Sequence, residues 1–413
     1  MNSRADVIVI GAGIIGLCSA FQIRKRSSLS VLIFEQGASL GEGSTGASAA
    51  VCRHRYSYDE MVELARDGIH AYRQWPRFIG TDQPLAQFQN DGVLWLSDGG
   101  DSWANRESKR LEEAGIRTNI VDAADIKSRF PALNPCSLQP DTESGEAHDC
   151  NAGTSYLFEV DGGYFDPVSA LQDLHSALLR KKVEVQFRSR VQKVLVKGGR
   201  TKGIQLNDGS VIEAPCVINA TGPWCNEVFD QLGLNLPWSL KPTRIQIIHI
   251  DRPTEVIGDI PVCCDIVGGI YFRQHNRGQQ IVLGSTLEED ELEVVENPSD
   301  FNGSIDDAFK VAKLHALHHR IPSLPYRGSV KGYCGLYTVN RDDVHPIVGE
   351  SPIAGFYVAN GFSGHGFKLA PAVGAMLAKE ITGESSDFDT SVPSSFLAFD
   401  RNPLELDVKN VLA

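Results

Sequence analysis

At 413 residues the chain has room for two domains, or for one domain interrupted by another, and 42% hydrophobic with 22% charged residues excludes a disordered chain. With 52 acidic against 39 basic residues, the net charge of −13 sets up a field that repels nucleic acid and anionic membrane surfaces. The nine cysteines, Cys18, Cys52, Cys136, Cys150, Cys216, Cys225, Cys263, Cys264 and Cys334, are scattered and lack paired CxxC spacing, so they read as buried thiols in a reducing compartment, with no metal site expected.

The first element begins almost at once. "DVIVIGAGIIGLCSAFQIRKR" predicts a buried strand over residues 7–10, a glycine turn, and a helix packing through Ile15, Cys18, Ala20 and Ile23; "VLIFE" predicts the next parallel strand. The apolar run "VIVIGAGIIGLCSAF" is too short and too glycine-broken to span a bilayer, so no transmembrane segment and a cytoplasmic location are expected. Strand, GxGxxG turn and helix are followed by an acidic residue closing the next strand, which is the context a dinucleotide needs. Gly11 permits the tight turn, Gly13 lets backbone approach a pyrophosphate, and Gly16 lets helix and strand pack closely. Ile14 and Ile15 open the helix, whose N-terminal end carries partial positive charge. Glu35, followed by Gln36, is placed to accept hydrogen bonds from ribose hydroxyls, and its carboxylate disfavours a 2′-phosphate.

A second string of the same spelling, "GEGSTG" at residues 41–46, has no strand before it and no periodic helix directly after it. Its small and hydroxyl residues, with Ser44, Thr45 and Ser48, suit a segment lying close to an extended cofactor, and not a second phosphate loop. "SYDE" at 57–60 has capping-box form, Ser57 with Glu60, and Met61, Leu64, Ala65, Gly68 and Tyr72 continue at helical spacing.

"DGGYFDPVSALQDLHSALLRKK" predicts a helix capped by Asp166, with Pro167 at its first position and Leu171, Leu174 and Leu178 as its apolar stripe. "VEVQF", "VQKVLVKGG" and "GIQLNDGSVI" predict a β-meander leading into the strand "CVINATG". Residues 226–330 are mixed, with strands such as "IQIIHI" and "QIVLG"; adjacent Cys263 and Cys264 read as core thiols in preference to a redox pair. "GFYVANGFSGHGFKLAPAVGAMLAKEITG" predicts a strand, a glycine loop and a helix starting near Phe367, whose positive end faces whatever lies in front of "SGHG".

These stretches together, "VIVIGAGIIG" with "FE", "GSTGASAA…RHRY", "DGGYFDP", "VINATGPW", "GIYFRQ" with "IVLGST", "GLYT" and "SGHGFKLAP", cover nearly the whole chain. In this order they resemble the D-amino-acid oxidase superfamily of FAD-dependent oxidoreductases, most closely its sarcosine oxidase branch. The resemblance implies an α/β fold in which a Rossmann-like FAD domain is interleaved with an α+β substrate domain built on an antiparallel sheet. Residues 1–90, 152–225 and 331–395 are assigned to the FAD domain, 91–151 and 226–330 to the substrate domain, and 396–413 to a C-terminal tail. Ala220, Thr221 and Gly222, with Trp224 beside them, are expected to line the FAD, and the strand from Val191 to Val196 to support its adenine side. Gly364, His365, Gly366, Phe367 and Lys368 resemble the loop that closes over the flavin ring.

The resemblance also assigns a substrate site. Arg53 in "RHRY" and Lys368 in "GHGFK" match residues that hold the substrate carboxylate, one as a bidentate clamp and the other as a point charge. Tyr271 and Tyr337 match tyrosines bordering the cavity, His365 is expected next to the flavin, and Arg273 is a reserve carboxylate ligand. Two positions depart from the pattern. Where the resembled enzymes attach FAD through a cysteine, this chain has Gly335, with Cys334 one residue earlier, so non-covalent FAD is expected. Where they carry a lysine that promotes reaction with oxygen, it has Val282, which leaves another electron acceptor or a partner subunit open beside molecular oxygen. The expected reaction is hydride transfer to FAD from the C–N bond of a small amino acid or secondary amine acid, sarcosine-like, N-alkyl or D-configured, giving an imine that hydrolyses. A 2-hydroxy acid dehydrogenase and a non-catalytic FAD-binding subunit or assembly factor are the alternatives.

Overall fold

A computed structural model of the chain describes residues 3–139, 153–325, 329–406 and 409–412; Cys150 lies outside these. The strand Val7–Ile10 is buried along its whole length, as an apolar run covered on both faces of a sheet must be. It sits inside a six-stranded sheet with the order Ile347–Glu350, Phe356–Asn360, Cys216–Asn219, Val7–Ile10, Val31–Phe34, Val185–Gln186. All its pairings are parallel except that between Ile347–Glu350 and Phe356–Asn360. Val7 and Val9 face a core shared with the helices Ile14–Arg26, Pro167–Arg180 and Gly366–Thr382. Ile8 and Ile10 face the opposite way, onto Val194, Ile204 and Ile212 of a three-stranded meander.

Two local readings need correction. "VEVQF" is not the first strand of the meander, because Val185–Gln186 pairs in parallel with Ile33–Phe34. It returns from the helix Pro167–Arg180 as a crossover strand, and the meander is formed by Val191–Lys197, Arg200–Leu206 and Val211–Glu213 alone. The predicted Ser57 capping box does not form; the helix Asp59–Arg73 starts after Tyr58 with no side-chain cap, and Asp59 and Glu60 in its first turn favour the positive helix end instead. The Asp166 cap does form, its Oδ1 accepting from the Ser169 N–H at 2.6 Å with Pro167 in the first turn.

The second sheet has eight strands, in the order Val330–Asn340, Leu240–Asp251, Gln280–Ser285, Ile270–His275, Val262–Asp265, Val93–Leu96, Tyr156–Glu159, Thr118–Val121. It is antiparallel apart from the pairing of Val262–Asp265 with Val93–Leu96. Tyr156–Glu159 and Val330–Asn340 both belong to this sheet. Strand alternation separates the adjacent cysteines: Cys263 joins the core beneath the helix Asp307–Arg320, while Cys264 joins the core facing the first sheet. Burial raises both thiols above the usual range, and side chains on opposite faces of one strand do not form a redox pair. The helix end is tied to the sheet by a fully buried bidentate pair, Arg320 Nε to Asp265 Oδ2 at 2.5 Å and Nη2 to Oδ1 at 2.8 Å.

Candidate active site

A cavity of about 730 Å³ runs between the sheets, in the size range of sites that enclose a cofactor. Its floor is the first glycine loop. Gly11 has φ +103°, and an added Cβ would lie 2.5 Å from the Ala220 carbonyl oxygen, so no other residue fits the turn. Gly16 lies outside the cavity wall and packs against Gly11, the helix-packing role its place in the motif assigns. The second glycine string folds over the first, with Thr45 Oγ1 accepting from the Ile14 N–H at 3.1 Å.

Glu35 is held at the cavity edge by two backbone donors, Ala12 N at 2.8 Å and Gly37 N at 2.7 Å. Ser44 Oγ is buried in the wall without a hydrogen-bond partner among the described residues. A long cavity with a glycine floor at a helix N-terminus, a carboxylate at one side and an unpartnered hydroxyl fits a dinucleotide. Gly13, Ile15, Gln36, Ser48, Val191, Thr221, Gly222 and Trp224 also line this cavity, as do Tyr337, Gly364, Gly366 and Phe367. Arg188, at φ +53° after the strand Val185–Gln186, is a wall residue that the sequence reading missed; no motif marks it.

Arg53, Lys368, His365 and Tyr271 are not in the cavity wall but gather past its inner end. The link is Gly364, which lies against the Tyr337 ring on one side and Val411 Cγ2 on another. Tyr56 is the hub. The Arg53 guanidinium carbon lies 4.3 Å and Lys368 Nζ 5.6 Å from its ring centroid, and His365 meets it edge-on at 5.1 Å. The sequence reading thus named three of these residues and overlooked Tyr56, three residues before the helix whose start it misjudged.

The position of Arg53 is set by its neighbours. Buried Glu159 accepts from His54 N at 2.7 Å, Arg55 N at 3.0 Å and Trp95 Nε1 at 2.8 Å, clamping "RHRY" to the second sheet. Burial pushes the Glu159 carboxyl up, but these donors and His54 outweigh it and hold it below the usual range. Burial and then the Arg53 charge bring Lys368 down to about 7. Burial, followed by Lys368 and Arg53, lowers His365 well below the ordinary imidazole range, so it is neutral near pH 7. Its Nε2 faces the Val411 carbonyl at 3.1 Å and therefore carries the proton, leaving buried Nδ1 as an acceptor with no partner among the described residues. The Tyr56 hydroxyl is likewise buried and has no partner among the described residues.

Tyr271 and Tyr337 share a hydrogen bond, and burial raises both phenols above the usual range. Arg273 does not reach this group: its Nε donates to Ala49 O at 2.8 Å, and its guanidinium stacks 4.1 Å from the Tyr164 ring centroid. Val282 is sealed with Ala49, Ile247 and Tyr271 in a small apolar cluster. Cys334 Sγ lies 3.2 Å from the Ser304 carbonyl and is not in the cavity wall. One residue that no motif marks completes the group. Glu291 is buried, and burial pushes its carboxyl up to about 8. Among the described residues, no cluster of three or more His, Cys, Asp or Glu is placed to hold a metal ion, and no helix is long and apolar enough to cross a membrane.

With this geometry in place, the chain belongs to a family of flavoenzymes: it matches the DAO family, FAD dependent oxidoreductase, over residues 6–380. FAD is the cofactor of that family. The chain is 26% identical to mouse "FAD-dependent oxidoreductase domain-containing protein 1", over 91% of this chain and 81% of the mouse protein. It is 24% identical to "4-methylaminobutanoate oxidase (formaldehyde-forming)" of Paenarthrobacter nicotinovorans, over 95% of this chain but 45% of that longer protein. Its fold matches that of L-proline dehydrogenase from P. horikoshii with a TM-score of 0.82 at 21% identity, covering 97% of this chain and 98% of that one.

Proposed function

We propose that the protein oxidises the C–N bond of a small amino acid or secondary amine acid, with the substrate carboxylate held by Arg53 and Lys368. The observation that carries this reading is the convergence of both cations on Tyr56, past the inner end of the dinucleotide cavity. Two buried cations from distant stretches of chain are costly unless an anion joins them, and a carboxylate satisfies both. FAD, when bound, supplies the two-electron acceptor for a hydride from the substrate carbon. Its dinucleotide would lie along Gly11, Gly13, Glu35, Ser44 and Thr45, with Gly364, Gly366 and Phe367 at the inner end.

Tyr271 and Tyr337 then border the substrate, and His365 helps to define the pocket as a neutral hydrogen-bonding group. A neutral, strongly acid-shifted His365 is a weak base, and this favours an amine over an alcohol. A free amine drives hydride loss with its own lone pair, whereas an alcohol must first give its proton to a base. Two of the named relatives have amine-bearing acids as substrates by their titles, L-proline for one and 4-methylaminobutanoate for the other. The division into FAD-binding and substrate-binding segments is part of this proposal.

Non-covalent FAD is supported by Cys334, whose sulfur is turned to the Ser304 carbonyl and away from the cavity. An acceptor other than oxygen is supported by the apolar seal around Val282. The test is turnover of sarcosine, proline and D-alanine with a dye acceptor by wild type and Arg53→Ala. The expected result is a KM raised by about tenfold or more in the variant, from loss of a charge-assisted clamp; an unchanged KM removes Arg53 from the site.

A further inference from the structure

Val411 lies beside Gly364 of the cavity wall, and its main chain is engaged in a particular way. Its carbonyl oxygen accepts from Arg53 Nη2 and from His365 Nε2, and its N–H donates to Glu291 Oε1 at 3.2 Å. One amino-acid residue is therefore gripped at its carbonyl by the proposed carboxylate ligand and at its nitrogen by a buried carboxyl group. The Val411 side chain rests against Gly364, in the loop expected over the flavin. Asn410 fixes the segment through Nδ2 to Thr286 O at 2.8 Å.

From this arrangement we infer that Glu291 is the residue that receives the substrate's amino group, opposite Arg53, and that the Val411 main chain holds the substrate's place until substrate displaces it. The inference rests on the amino-acid reading above and adds to it the group that recognises nitrogen. Glu291 is suited to that task. It is 4% exposed, its own carbonyl is fixed by Arg341 Nη2 at 2.7 Å, and its charge acts on both Tyr271 and Tyr337. No other described side chain donates to its carboxyl oxygens, which leaves them to the Val411 N–H or to an incoming amine. If the substrate arrives as an ammonium against ionised Glu291, an N–H bond breaks, an O–H bond forms on the carboxyl, and nitrogen keeps the electron pair. The elevated position of the Glu291 carboxyl makes that proton exchange accessible near neutrality.

The test compares ligands that differ only at nitrogen, by spectral titration of the flavin-loaded protein: sarcosine against butanoate, and proline against cyclopentanecarboxylate. In Glu291→Gln, affinity for the two amines is expected to fall by about tenfold or more, the loss of a charge-assisted hydrogen bond. Affinity for the two amine-free carboxylates is expected to stay within about twofold, while Arg53→Lys weakens both kinds. Equal losses for amines and carboxylates in Glu291→Gln, or no loss for either, overturn the assignment of Glu291 alone. A wild-type flavin that none of the four ligands bleaches or perturbs removes the amino-acid reading, and the Glu291 assignment falls with it. If Glu291→Gln does not load flavin, Val411→Pro reads the same geometry, since it deletes the N–H that competes for Glu291. The amines are then expected to bind several-fold tighter than to wild type, and unchanged or weaker binding overturns the inference.

Discussion

A lysine buried beside an arginine loses its proton far below the ordinary lysine range, and Lys368 does so at about 7. In the proposed site, Lys368 therefore adds positive charge toward a substrate carboxylate below that pH and little above it. Affinity for butanoate should therefore fall as pH rises from about 6 to about 9, and the dependence should flatten in Lys368→Met. Flattening will be partial, because Glu291 ionises at about 8 and adds negative charge over the same range. A titration that is equally steep in both proteins would show that Lys368 takes no part. The same shift has a stability consequence. The folded value lies below the ordinary one, so between about 7 and 10.5 the unfolded chain binds the extra proton and stability rises with pH. Lys368→Met should accordingly raise Tm more at pH 7 than at pH 10, and an equal gain at both would contradict the burial argument.

At the scale of elements, close approach decides the packing. The helices Ile14–Arg26 and Gly366–Thr382 meet at Gly374, where an added Cβ would lie 2.7 Å from the Cys18 carbonyl carbon. Gly374→Val forces the helices apart and should cost about 1–3 kcal/mol, readable as a lower midpoint in denaturant at unchanged slope. Arg320→Leu strands the Asp265 carboxylate in the core beneath the helix Asp307–Arg320. It should cost about 3–5 kcal/mol, and a loss below about 1 kcal/mol would mean that the pair is not buried in solution.

Much of this level was legible in the sequence, because its signals are local. The glycine loop, the Asp166 cap and the strand Val7–Ile10 each write their reason within a few residues. Ser57 misled because its spacing to Glu60 matches a cap, while the chain enters the helix one residue later. The short strand Val185–Gln186 misled because its partner, Val31–Phe34, lies far upstream. Glu291 and Val411 were illegible for the same reason: they meet across 120 residues, and neither stands in a motif.

At the scale of the whole molecule, a long cavity lies between the two sheets, and neither Arg53 nor Lys368 is part of its wall. In the proposed reading, a dinucleotide would lie between the glycine loop and a carboxylate-binding pocket, and this arrangement supports that reading more than any single residue does. Because Cys334 faces Ser304 and Gly335 offers no sulfur, acid precipitation should leave yellow flavin in the supernatant; flavin retained in the pellet would contradict the non-covalent reading. The proposed oxidation of an amine is tested by anaerobic flavin bleaching against sarcosine, N-alkyl amino acids, proline, D-amino acids and 2-hydroxy acids, followed by readmission of air. Bleaching by at least one amino acid, none by the hydroxy acids, and slow recolouring in air are expected; bleaching by a hydroxy acid alone, or by nothing on the panel, would overturn the proposed amine oxidation.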